Sequence, residues 1–316
     1  MLTEEDKQRF IQFVNKIGYD IGEQIIQNVE VQYQKSVTFL PDLAMFIASY
    51  VVRKTFSRLT TPPKYIDNSI RFFFHNLFDY NDPTDEKRTL KRPEKPPYVR
   101  VFPSTLPHTS VFEKDAHVNV VSIFISADYL KSFLSEDAEA FQYLFAGDTN
   151  FLIEEFMTDD IIRTVNELVQ KEEPPVLKSY QYRLKAMELL FYLFRSLSRR
   201  EKSVHQKLSD KDIQAIYNVR DKLVSSLNQP STIAELKQIA GMNELKMRHL
   251  FTQIFGMGIY DYYQYLRMKE AARLIRDENC SVSEAGYKMG FENLSHFSKV
   301  FEKHIGIKPK KYSKLT

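Results

Sequence analysis

Gly290-Phe291-Glu292-Asn293-Leu294-Ser295-His296-Phe297-Ser298-Lys299-Val300-Phe301-Glu302-Lys303-His304-Ile305-Gly306 is the stretch whose reading decides the fold. Gly290 provides a turn, and Asn293 offers a side-chain oxygen to the first free amides of a helix. Phe297, Val300, Phe301 and Ile305 then recur at helical spacing along one face, and Gly306 stops the helix. Ahead of it, Ser281 caps a shorter helix from Val282 to Met289. Two short helices joined by a glycine-containing turn form a helix-turn-helix, whose second helix fits the DNA major groove. The arrangement also stands about 50 residues earlier. Thr232 starts Ile233 to Ile239, Gly241 turns, Asn243 caps, and Glu244 to Phe255 buries Met247, Leu250, Phe251 and Ile254. A long helix, Tyr260 to Arg276, joins the two motifs, about 232–255 and 282–304. Ser209 opens a helix ahead of the first motif and Pro309 one after the second. A tandem pair at matching offsets is far more specific than one motif alone.

The inward positions leave Leu245, Arg248, His249, Leu294, Ser295, Ser298 and Lys299 outward near the starts of the two second helices. These are the base-edge candidates. Arg248 suits bidentate pairing with guanine, and Leu294 a thymine methyl. Lys246, Lys303, Lys308, Lys310 and Lys311 are phosphate candidates, which position the protein without specifying sequence. From Leu208 to Thr316 the chain carries 17 Lys and Arg against 12 Asp and Glu, whereas the rest carries 27 against 29. The basic excess sits where the motifs are, as a polyanion-binding module requires.

Ile213 to Lys314 resembles the AraC/XylS family of bacterial transcription regulators. Gly290-Phe291-x-Asn293-x-Ser295-x-Phe297-Ser298-x-Val300-Phe301-x-Lys303-x-x-Gly306-x-x-Pro309-x-x-Tyr312 follows its signature, and Arg267-Met268-x-x-Ala271 its linking helix. The base-edge candidates fall on the family's reading positions. The chain departs from the pattern at Gly258 and Lys308, where the family places a Ser or Thr cap, and at Ala285-Gly286, where it has Ile-Ala. The smaller pair trims the core under the second motif, by ~1–2 kcal/mol. The resemblance covers about 100 of 316 residues. It implies a double-stranded DNA partner with promoter half-sites, and a contact with RNA polymerase. It also implies a separate signal-binding or dimerising domain, often a cupin-like barrel followed by helices.

Outside that third, turn residues punctuate apolar runs rich in Val, Ile and aromatics: Val37–Leu40, Leu43–Val52, Ser69–Phe78, Tyr98–Phe102 and Val118–Ile125. Helical patterns follow from Ser126 or Asp128, from Ser135, from Thr158 and from Val176 to Arg200. The fold class is α+β. A β-rich, cupin-like barrel or sandwich domain with helices spans 1–200, a linker 201–208, and an all-α domain with two helix-turn-helix motifs 209–316. Along Val176 to Arg200, Leu184, Met187 and Phe191 occupy one side and Leu189, Leu193 and Leu197 another. A helix apolar over most of its girth is buried deep or paired with a partner. Leu189, Leu193 and Leu197 are read as a homodimer contact.

Composition limits the remaining function classes. Nine glycines form no GxGxxG, GxxxxGK[ST] or GxSxG, so nucleotide cradles and nucleophile elbows have no basis. His75, His108 and His117 form no ligand cluster, so no metal or other cofactor is expected. Cys280 is the one cysteine, which excludes an internal disulfide and suits a reducing compartment, here the cytoplasm. No apolar run reaches membrane-spanning length, and Met1 to Gln12 lacks a signal core. The residues up to Lys207 hold 19 of the 24 Phe and 11 of the 18 Tyr, a supply for a hydrophobic or aromatic effector pocket. The leading reading is a non-enzymatic, ligand-responsive, sequence-specific DNA-binding transcription factor. A DNA-binding regulator whose amino domain only dimerises, and a barrel enzyme fused to a DNA-binding domain, remain the alternatives.

Overall fold

The computed structural model describes residues 27–40, 42–60, 68–76, 96–106, 108–145, 150–170, 176–200 and 205–315. Met1 to Gln12, the end of the run Ser69–Phe78 and linker residues 201–204 lie outside them. The chain divides into two compact units, Met1–Leu208 and Ser209–Thr316.

The first unit is built on a six-stranded sheet. Its strands in chain order are β1 (Val29–Leu40), β2 (Leu43–Val52), β4 (Ser69–His75), β5 (Tyr98–Pro103), β7 (His117–Ser126) and β8 (Ile153–Phe156). They lie in the order β1-β2-β7-β4-β5-β8, every neighbouring pair antiparallel. A two-stranded ribbon pairs β3 (Phe56–Thr60) with β6 (His108–Phe112). Alternation puts Met45, Ile70, Phe72, Val101, Ile123 and Ile153 on one face of the sheet. That face shares a core with helix α2 (Asp159–Gln170) and helix α3 (Lys178–Leu197). Helix α1 (Ala127–Leu134), capped by Ser126, and a 3-10 segment, Ser135–Leu144, are the unit's other helical elements among the described residues.

The architecture is mixed α and β as expected, but the cupin-like label does not follow from it. Three strands escaped the sequence reading. β3 and β6 are five residues each with no long apolar run, and β8 stands beyond two helical segments. Ser135 opens a 3-10 segment kinked at Phe141 rather than a regular helix.

The dimer contact is corrected. Leu189, Leu193 and Leu197 are almost fully buried, at 0%, 0% and 3% exposure, inside the core that faces the sheet. The uncovered side of α3 is the other one, where Tyr180, Leu184 and Phe191 stay more than half exposed. A helix with two apolar sides packs one of them on the sheet, and spacing alone does not say which.

The described end of the expected linker, 205–208, is docked on the first unit. His205 stacks on Tyr143 at 4.0 Å and 9°, and the buried Leu208 donates its N–H to the Asn150 carbonyl at 3.0 Å. Burial pushes the Tyr143 hydroxyl up to about 12, Arg200 opposing. Ser209 already caps the next helix, accepting from the Asp212 N–H at 3.1 Å.

Seven helices form the second unit: α4 (Asp210–Val224), α5 (Ile233–Ala240), α6 (Glu244–Phe255), α7 (Ile259–Asp277), α8 (Val282–Lys288), α9 (Leu294–Ile305) and α10 (Pro309–Tyr312). The repeat is physical as well as textual. Phe251 meets Tyr262 at 5.3 Å in the first half, and Phe301 meets Tyr312 at 5.6 Å in the second. No helix among the described residues is long and apolar enough to cross a membrane.

Candidate nucleic-acid interface

Both motifs are started by reciprocal caps. Thr232 and Glu235 close a capping box on α5, and Ser281 and Glu284 close one on α8. The second helices begin at Asn243 and Asn293, whose side chains accept from the N–H groups of Lys246 at 2.8 Å and His296 at 3.0 Å. Gly241 and Gly290 make the turns with φ of 62° and 74°. Gly258 and Lys308 cap α7 and α10 without any side-chain hydrogen bond.

On α6, Leu245 is 81% exposed and Arg248 is exposed beside it. Arg248 is not idle, because its Nε donates to Glu244 Oε1 at 2.7 Å. An exposed pair of this kind is weak and gives way to a base edge at small cost. His249 differs from expectation. It is half-buried, with Nε2 enclosed and without a hydrogen-bond partner among the described residues. Turned that way, it does not present Nε2 to a groove.

On α9, Ser295 and Lys299 are exposed. Ser298 is half-buried and its hydroxyl donates to the Leu294 carbonyl at 2.9 Å. Leu294 is also half-buried, because it leans over Gly286. The expected loss of packing at Ala285-Gly286 is not found. A methyl added at Gly286 would meet Leu294 Cδ2 at 2.9 Å and Phe297 at 3.2 Å, so the second helix has closed onto the glycine. His296 is exposed at the place Lys246 holds in the first motif, and sequence reading passed over it. The matching offset was the available signal.

The phosphate candidates fall into two groups. Lys308, Lys310 and Lys311 are exposed and have no carboxylate partner among the described residues, as is true of Lys299. Lys246 is paired with Asp212 at 2.7 Å, and Lys303 with Asp261 at 3.0 Å. Burial works against the charged form of Asp212, but hydrogen bonds from Lys246 and Ser209 outweigh it and hold the carboxyl below its ordinary value.

Sequence reading also missed the joint beneath the interface. Arg267 is buried on α7, where its guanidinium reaches the Met289 carbonyl and the Gln264 side chain. Burial draws it below the usual arginine value, the tyrosines at 263 and 260 opposing.

Two tandem helix-turn-helix motifs, each presenting an exposed polar and cationic helix, define a DNA-binding domain. Residues 236–315 match the family model described as "Helix-turn-helix domain". The regulatory protein PchR of Pseudomonas aeruginosa is 33% identical over 99 residues, 31% of this chain and 33% of its own. The transcriptional activator RhaR of Cronobacter sakazakii is 33% identical over 88 residues, 28% and 31% of the two chains. The arabinose operon regulatory protein of Escherichia coli is 24% identical over 120 residues, 38% and 40%. The chain spans about a third of the length of the curated relatives it matches. Its carboxy-terminal unit is an AraC-type helix-turn-helix domain.

Proposed function

We propose that the protein is a cytoplasmic, non-enzymatic transcription factor that reads promoter half-sites in double-stranded DNA. The observation that carries this is the pair of exposed second helices on one repeated scaffold. In this reading Leu245, Arg248, Ser295 and Lys299 meet base edges. Leu294 and Ser298 line the inner margin, and His249 reaches the groove only by turning. Lys308, Lys310 and Lys311 hold phosphates in the free protein's own arrangement, while Lys246 and Lys303 exchange a carboxylate for a phosphate. RNA polymerase is the partner that converts such binding into transcription.

A small hydrophobic or aromatic effector is proposed for the first unit. The sheet face away from α2 and α3 carries Phe73 against Phe102 at 5.3 Å and Phe124 at 5.9 Å, with Arg71 beside the last two. Aromatic walls with a few polar groups are what such ligands require. Assembly is proposed as a homodimer through the uncovered side of α3, at Tyr180, Leu184 and Phe191 rather than at the buried leucines. Two copies on repeated half-sites multiply affinity through effective concentration.

The test is selection of bound sequences from random DNA by the full chain, followed by Arg248→Ala on the selected site. Loss of ~1–3 kcal/mol with one base position relaxed supports the reading. An equal loss on unrelated DNA makes Arg248 a phosphate contact, and no selected sequence at all sinks the proposal.

A further inference from the structure

We propose that Arg267 is a positioning residue for two-segment DNA reading, locking the second helix-turn-helix onto α7 and so fixing the spacing between the two recognition helices. The inference rests on the DNA-reading assignment above.

Helix α7 packs against both α6 and α9, so the geometry linking the two recognition helices passes through it. Arg267 lies 6% exposed at its middle. Nε donates to the Met289 carbonyl at 3.2 Å, Nη2 donates to the same oxygen, and Nη1 donates to Gln264 Oε1 at 3.1 Å. Met289 closes α8, and the last carbonyls of a helix have no partner within it. A cation there also meets the negative end of the helix dipole. The guanidinium centre lies 4.1 Å from the Phe291 ring centroid and 5.2 Å from that of Tyr263. The turn Met289-Gly290-Phe291 is therefore gripped at its carbonyl and at its ring.

The same joint takes in the segment ahead of the first motif. Tyr263 donates its hydroxyl hydrogen to the Leu227 carbonyl at 3.0 Å, and Gly290 backs directly onto the Asn228 carbonyl. Among the described residues, the hydrogen-bond partners of Arg267 are a carbonyl and an amide, both neutral. Enclosing a charge without a counter-charge is a costly way to fill a core. What the guanidinium supplies and an apolar side chain would not is direction: a planar fork of donors with fixed angles. Without it, Phe297 and Phe301 still share an apolar core with Met268, Ala271 and Leu274 of α7, but that packing has no fixed direction, and the turn Met289-Gly290-Phe291 loses the donors that set its registration on α7.

The experiment uses the full chain and three DNA probes: a site selected by the wild type, the site with its second segment scrambled, and the site with one base pair inserted between segments. Wild type is expected to lose on the order of tenfold or more on each altered probe. Arg267→Met is expected to lose on the order of tenfold on the intact site, to match wild type on the scrambled one, and to differ by less than about threefold between intact and inserted probes. Arg267→Lys, which keeps a donor, is expected to restore part of the spacing penalty. A folded Arg267→Met that keeps the wild-type penalty, or that loses affinity equally on all three probes, overturns the proposal. If that variant does not fold, Phe291→Leu removes the ring contact while leaving the carbonyl bonds. A wild-type penalty in Phe291→Leu overturns the proposal in the same way. A wild-type chain that selects no sequence overturns the DNA-reading assignment itself, and the inference with it.

Discussion

Gly290 and Gly241 occupy matching turns, yet their surroundings set very different demands. Both sit at positive φ, but a Cβ on Gly290 would lie 2.1 Å from the Asn228 carbonyl oxygen, whereas one on Gly241 meets nothing within 4 Å. Gly241→Ala carries only the conformational cost, about 1 kcal/mol. Gly290→Ala adds a collision with backbone that no rotamer change relieves, so a loss well above ~2 kcal/mol is expected. Urea unfolding of the second unit checks the pair, and similar losses would remove the close approach from the explanation. Both glycines were legible in the sequence as turns. The unequal demand was not, because it comes from Asn228, more than sixty residues away along the chain.

At the scale of elements, the helix caps make the second unit sensitive to acid. Glu235 is held below its ordinary value by the Thr232 backbone N–H and side chain, and Glu284 by the Ser281 side chain and backbone. Arg273 does the same for Glu278. A carboxyl depressed in the folded state contributes stability above its unfolded value, near 4.5, and loses it as pH falls through the folded one. The unfolding midpoint of the second unit is expected to hold from pH 7 to about 5 and to fall below about 4. Glu235→Gln with Glu284→Gln should flatten that fall, and an unchanged acid limb in the double variant would count against the caps. Helix α3 offers a second check. Leu193→Ala is expected to cost ~2–5 kcal/mol of first-unit stability, as a buried core truncation does. Leu184→Glu or Phe191→Glu should leave the fold intact and abolish cooperative binding to paired half-sites. Analytical ultracentrifugation and operator titration decide between outcomes, and unimpaired cooperativity in both charged variants places the dimer elsewhere.

For the whole molecule, the division at Leu208 and Ser209 separates two cores with different work. The second unit contains both motifs, α7 and its own aromatic packing, so a fragment from Ser209 to Thr316 is expected to retain most of the affinity for a single half-site and to lose the cooperative gain on paired ones. With about five phosphate contacts, raising salt from about 50 to 200 mM should weaken binding on the order of 10²–10³-fold. Fluorescence anisotropy of fragment and full chain at several salt concentrations measures it. A flat salt response would remove the lysines at 308, 310 and 311 from the interface. A folded fragment that binds no DNA would move the reading function outside this unit.

The sequence alone determined the second unit, because its signals are local. Thr232, Ser281, Asn243 and Asn293 cap within three residues, glycines turn where they stand, and apolar spacing of three and four fixes each buried face. Repetition about 50 residues later removed the ambiguity a single motif would have left. Strands β2, β4, β5 and β7 were legible for a related reason, since each is a local run rich in Val, Ile or aromatic residues between turn signals. Only the tertiary structure decided which apolar side of α3 is covered, since two candidate faces look alike until a sheet takes one of them. It alone paired β3 with β6 and placed β8 on β5, short strands whose partners are distant in the chain. The buried charge of Arg267 was likewise invisible: an arginine reads as surface until a carbonyl and two rings close around it.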